Sequence, residues 1–232
     1  MTATLQFDAL RAAGLDAGLD VVGACPAEPF EETRVVLEQR RQAGLNGSMQ
    51  FTYRNPARST DPGRTLPDAR TLVVGACSYH RDPPPVPERA GPVGRVARYV
   101  WADDHERLLR GLGAVADVLR AGGHRAVVLA DQNNLVDRAV AHRAGLGWFG
   151  KNANLLLPGR GSWYVLGSVL TDAGPDDVAG LSSSDPVADG CGTCERCLPA
   201  CPTGAIVAPG VVDARRCLSW SLQVPGPFPR DH

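Results

Sequence analysis

The chain has 232 residues, 44% of them hydrophobic and 21% charged, with a formal net charge of −1 at pH 7. This composition excludes disordered, collagen-like and coiled-coil classes, and the length suits one good-sized domain with a smaller companion. No apolar run approaches the ~20 residues of a membrane helix. The opening MTATLQFDALRAAGLDAG lacks the basic and apolar regions of a signal peptide. The expected compartment is the cytoplasm, where a reducing poise leaves the seven cysteines as thiols, metal ligands or core residues. A monomer with no membrane contact is expected.

The near-zero net charge hides segregation. Residues 40–170 carry a net +8, flanked by −5 before and −4 after. Such a section suits a polyanion, and equally suits arginines that merely solvate loops. Of the 24 basic residues all are Arg except Lys151, a compact point charge unlike the planar guanidinium.

In chain order, a helix is expected over residues 5–17, an apolar strand over 19–24, and a helix over 31–43 with Pro29 near its first turn. RTLVVGACSY (70–79) reads as a buried strand. RDPPPVPERAGPVG (81–94) is too Pro-rich for regular structure and reads as an ordered loop or lid. Leu108, Leu109, Leu112, Val115 and Leu119 recur at helical spacing over 103–121, and Gly122-Gly123 stops that helix. A strand over 125–130, a helix over 135–144 and a strand over 162–170 follow. Alternating elements of this kind imply an α/β or α+β fold, a central sheet covered by helices. AGPDDVAGLSSSDPVADG (173–190) has a linker's composition. It divides a larger domain (1–172) from a small segment (191–232) whose cysteine spacing is ferredoxin-like. There is no Walker loop and no dinucleotide-type GxGxxG.

The strongest signal is Cys191-x2-Cys194-x2-Cys197-x3-Cys201-Pro202. Closely spaced thiolates followed by Cys-Pro are the spacing of ferredoxin [4Fe–4S] ligands, with the fourth cysteine serving a second cluster. Zinc is the competing reading, though its sites favour CxxC pairs separated by a longer stretch. Cys217 is a further candidate ligand. Cys25 and Cys77, set among Val, Gly and Ala, read as core. Two all-cysteine clusters need about eight thiolates, more than the seven present. A fragment of a longer protein, a single cluster, or ligands from a partner would each resolve the shortfall.

DRAVAHRAGLGWFGKNANLLLPGRGSWYVLGSVLTD (137–172) and CGTCERCLPACPTGAIVAPGVVDARRCLSW (191–220) resemble the epoxyqueuosine reductases. So do YRNPARSTDPGRTLPDARTLVV (53–74) and ARYVWADDHERLL (97–109). That family normally continues into a second cysteine run, so the resemblance implies a C-terminally shortened chain. It implies a cobalamin-binding domain fed by 4Fe–4S clusters, which takes electrons from an unidentified donor. The implied activity is reduction of epoxyqueuosine to queuosine at the wobble position of a tRNA anticodon loop.

On the same resemblance Asp131 is the general acid, although Asn133-Asn134 stands where the family has Gly-Pro. Tyr99, Asp104, His105, Lys151 and Asn152 are implied as cobalamin-binding. Trp148 and Trp163 are weaker candidates for the corrin pocket, and His80 for a strand-end site residue. The arginine-rich stretch including Arg54, Arg58, Arg64, Arg95 and Arg98 is the expected RNA contact. Three alternatives remain open from the sequence: a cobalamin-dependent reductive dehalogenase, a non-catalytic iron–sulfur electron-transfer protein, and a zinc-binding structural protein.

Overall fold

The computed structural model describes residues 4–85, 91, 94, 96–181 and 187–226. Half of the expected loop or lid at 81–94 therefore lies outside the described residues, as does Arg95.

A two-residue strand β1 (Leu5–Gln6) runs into helix α1 (Phe7–Asp16), then β2 (Val21–Pro26) and α2 (Glu31–Gln42). A short helix α3 (Pro56–Ser59) is capped by the Asn55 side chain, which accepts the Arg58 N–H. Strand β3 (Thr71–Ser78) leads, past a 3-10 turn at Arg98–Val100, to the long helix α4 (Asp104–Ala121). Asp103 caps α4 by accepting the Glu106 N–H at 2.8 Å. There follow β4 (Ala126–Ala130), α5 (Asp137–Arg143), the hairpin β5 (Trp148–Phe149) and β6 (Leu155–Leu156), and β7 (Tyr164–Thr171). The chain ends with β8 (Val178–Ala179), α6 (Cys197–Ala200), the hairpin β9 (Ile206–Ala208) and β10 (Val211–Val212), and α7 (Leu218–Ser221).

The main sheet has the order β2-β3-β7-β4 and is antiparallel at every pairing. Of the two classes the sequence allowed, the α+β arrangement is the one adopted. Both faces of the sheet are covered. Successive β3 side chains alternate sides: Leu72, Val74 and Ala76 join the core beneath α5 and α2, while Val73 and Cys77 join the core beneath α1 and α4. Gly75 and Gly111 face Leu19, whose methyl groups approach within 3.0 Å of where their Cβ atoms would stand. Glycine lets the helix layer settle onto the sheet there.

The segment expected to be a linker is partly structured. Val178–Ala179 pairs in parallel with Leu5–Gln6, and Arg70 donates to Asp176 and Asp177 at 3.0 Å each. Ala173, Gly174 and Val178 are buried. Residues 173–181 therefore belong to the larger unit. Among the described residues no helix is long and apolar enough to cross a membrane.

Candidate functional site

The strand register gathers several candidates at one edge of the sheet. Ser78 is opposite Tyr164 and Ala130 is opposite Gly167. Tyr79 and His80, which leave β3, Trp163, which enters β7, and Asp131, which leaves β4, therefore emerge at the same edge. The antiparallel register of β3, β7 and β4 does the gathering.

Asp131 is exposed and holds φ +51°, a left-handed conformation that Asp and Asn tolerate better than other side chains. The next residues are anchored from outside: Asn133 Oδ1 accepts the Thr52 N–H at 2.8 Å. Asn133 thus ties the Asp131 loop to the 51–53 turn. Asp137, at the start of α5, was not among the sequence candidates. Burial pushes its carboxyl up to about 7, with the charge of Asp131 adding to the rise and Arg138 opposing it. The local signal was there to find: a carboxylate directly after the buried pair Leu135-Val136, six positions from Asp131.

Tyr79 and His80 meet the Trp163 ring edge-on at 5.8 and 5.5 Å. Arg98 lies over Trp163 at 4.9 Å and over Trp101 at 5.7 Å. Trp163, Tyr99, Val96 and Val100 are exposed large apolar side chains, an uncommon density at a strand edge. Asp104 is buried instead. Arg81 donates to both its oxygens and Arg107 lies at 3.4 Å, so its carboxyl sits below the usual range, chiefly through the Arg81 hydrogen bonds. Arg107 also donates to Asp20 and to the Ser78 carbonyl. Asp104 thereby pins the start of α4 to the end of β3. His105 is exposed on the first turn of α4.

The β5–β6 hairpin stands between this edge and the cysteine segment. Leu155, Leu157, Ser162, Tyr164, Leu166, Arg138 and Asn154 line a recess beside it. The hairpin is close-packed: a Cβ on Gly147 would fall 2.1 Å from the Leu156 carbonyl oxygen. Asn152 Oδ1 accepts the Asn154 N–H within the same turn. Lys151 reaches the other way, with Nζ donating to the Gly192 carbonyl at 3.0 Å and lying 3.6 Å from Glu195.

Cys191, Cys197, Cys201 and Cys217 are part-exposed and Cys194 is exposed. Burial would raise the Cys201 thiol. The backbone N–H groups of Ile206 and Ala205, aided by Thr203, outweigh it and bring it below its ordinary value. Ala205 N lies 3.2 Å from Cys201 Sγ, and the Trp148 indole N–H donates to Cys191 Sγ at 3.4 Å. N–H groups aimed at sulfur favour the thiolate, the form that ligates iron. Among the described residues no three His, Cys, Asp or Glu side chains converge on a single-ion position. A cube with thiolates at separate iron corners does not require one. Cys25 and Cys77 are buried, and burial pushes their thiols up to about 12 and about 11. They are core residues.

The cysteine segment is docked by several bonds. Gly210 N donates to the Lys151 carbonyl at 2.9 Å, Arg40 donates to the Gly210 carbonyl at 2.8 Å, and Ala214 N donates to the Leu45 carbonyl at 2.8 Å.

Fold and site together define an antiparallel α+β domain carrying a docked, ferredoxin-type cysteine segment. Residues 190–230 match the family described as a 4Fe-4S double cluster binding domain. The chain is 37% identical over 220 residues to an epoxyqueuosine reductase of Synechococcus sp. (strain RCC307), covering 92% of this chain and 65% of that protein. The solved epoxyqueuosine reductase of Streptococcus thermophilus superposes with a TM-score of 0.86 at 28% identity, over 96% of this chain and 59% of that one. An epoxyqueuosine reductase solved with an epoxyqueuosine-modified tRNA-Tyr stem loop superposes with a TM-score of 0.82 at 29% identity, over 97% of this chain and 59% of that one. The chain belongs to the epoxyqueuosine reductase family, and spans about three fifths of the length of these relatives.

Proposed function

We propose that the chain carries the catalytic part of an epoxyqueuosine reductase, which converts epoxyqueuosine in a tRNA anticodon loop to queuosine. The observation that carries this reading is the match in sequence and fold to that family over more than nine-tenths of the chain, with Asp131 at the edge where exposed aromatic side chains gather. The overall change consumes two electrons and two protons: the epoxide becomes an alkene and its oxygen leaves as water. A low-potential one-electron donor supplies the electrons.

Cys191, Cys194, Cys197, Cys201 and Cys217 are the thiolates offered to 4Fe–4S clusters. Their number and their N–H partners fit that group, and residues beyond this segment or an added thiol complete the ligand sets. The exposed apolar edge formed by Val96, Tyr99, Val100 and Trp163 fits a large flat macrocycle. Cobalamin, when bound there, supplies the reducing nucleophile for the epoxide carbon. Asp131 delivers the proton to the departing epoxide oxygen. Its exposed loop, anchored through Asn133, lets it reach a bound nucleotide from solvent. Lys151 and Asn152 order the hairpin beside that edge. Arginines of the 40–110 section, including Arg54, Arg58 and Arg64, face the phosphates of the loop.

The test is anaerobic reconstitution with iron, sulfide and cobalamin, followed by reaction with epoxyqueuosine-containing tRNA and dithionite. Formation of queuosine, read by nucleoside mass spectrometry, supports the proposal. Persistence of the epoxide with corrinoid bound and clusters reduced overturns it.

A further inference from the structure

The contact between the β5–β6 hairpin and the first cysteine of the cluster run has consequences for electron transfer. Gly190 packs so tightly on Trp148 that a Cβ there would lie 2.5 Å from the indole ring. The adjacent Cys191 is thereby held with its sulfur 3.4 Å from the indole nitrogen. Three residues along the same hairpin, Lys151 places its ammonium on the carbonyl of Gly192, next to that cysteine. The Lys151 side chain is only 20% exposed, whereas its carboxylate neighbour Glu195 is 63% exposed and so more screened by water. A single rigid turn therefore presents an N–H donor and a positive charge to one corner of the cysteine loop.

Reducing an iron–sulfur cluster adds one negative charge, spread over iron and sulfur. Hydrogen bonds to the ligating sulfur and nearby cations stabilise the reduced form more than the oxidised form, and so raise the reduction potential. We propose that Trp148 and Lys151 are positioning residues that dock Cys191 against the larger domain and hold its cluster at a raised potential. This rests on the iron–sulfur reading above. It also gives the single lysine of an otherwise arginine-only chain a task suited to a compact ammonium: one donor on one carbonyl, with no planar fork to accommodate.

The experiment uses the whole chain, reconstituted anaerobically with iron, sulfide and excess thiol. Iron and sulfide are assayed, and the cluster is titrated with dithionite and mediators while reduction is followed by electron paramagnetic resonance. Trp148→Phe keeps the ring and removes the donor; Lys151→Met removes the charge at similar length. Each is expected to load iron and to show a lower midpoint. The ratio of reduced to oxidised cluster at the wild-type midpoint should fall roughly fivefold per lost interaction of about 1 kcal/mol. Lys151→Arg should recover part of the Lys151→Met shift. If Trp148→Phe fails to load, the Lys151 pair decides alone. Loaded variants whose midpoints coincide with wild type overturn the inference and leave the cluster reading intact. A wild-type chain that takes up no iron overturns the cluster reading itself.

Discussion

Both terminal nitrogens of Arg81 donate to the carboxylate of Asp104, at 2.5 and 2.6 Å, and that carboxylate is 3% exposed. The pair joins the segment after β3 to the start of α4 across 23 positions of sequence. Arg81→Met leaves a buried charge with Arg107 as its remaining partner, at 3.4 Å. The expected cost is about 3 kcal/mol, at the low end for a broken buried pair because the Arg81 side is partly solvated. Urea denaturation at pH 7 measures it. Asp104 titrates below its ordinary value when folded, so the pair's stabilisation is present above the unfolded carboxylate range. It fades as pH falls through the folded value. The gap between wild type and Arg81→Met should therefore narrow only on the acid side of pH 4.

Asp137 has the opposite sign. Its folded carboxyl titrates at about 7, well above its ordinary value. The native state keeps a proton there that the unfolded chain has already released. Stability from this group is complete below the unfolded value and is lost as pH rises from about 4 through about 7. Asp137→Asn removes the dependence. The urea midpoint should fall further between pH 5 and pH 8 in wild type than in the variant.

Asp131→Asn is expected to stop epoxide reduction while leaving the fold almost untouched. The residue is exposed, and Asn tolerates its positive φ as well as Asp does. A stability change within about 0.5 kcal/mol is expected, read by thermal unfolding, together with intact corrinoid binding. Turnover at the wild-type rate would remove Asp131 from the acid role.

The cysteines should divide into two groups. Cys191→Ala, Cys194→Ala and Cys197→Ala should each lose iron and the brown chromophore with small effects on the larger domain. Cys25→Ala should keep iron and lose about 1 kcal/mol, because it empties part of a close-packed site on the sheet. Iron analysis and urea unfolding on the same preparations separate the two.

The elements themselves were legible because their signals are local. The helical spacing of Leu108, Leu112, Val115 and Leu119 gave α4 to within a residue of its observed start, and the apolar runs at 70–79 and 125–130 gave β3 and β4. Strand order was not legible, since nothing in the β3 or β7 sequence states its neighbour's direction. The same holds for Arg70 with Asp176 and Asp177, more than a hundred positions apart. That pairing turned a segment of linker composition into packed structure through Leu181. The resemblance implied Asp104 as cobalamin-binding; that its carboxylate is buried against Arg81 and Arg107 is visible only in the folded chain. Lys151 stood out by composition and by the family resemblance, and its target, Gly192, is visible only in the folded chain.

The clasp between Leu5–Gln6 and Val178–Ala179 has a consequence for how the cysteine segment detaches. Only nine residues, 182–190, separate Leu181, which packs on the core just past the clasp, from Cys191. Even at full extension they reach roughly 30 Å. A released loop would therefore still search a small volume around its seat, at an effective concentration on the order of millimolar. Any undocking would thus be local and quickly reversed, and weakening the hairpin's grip would alter how often it happened without setting the loop adrift.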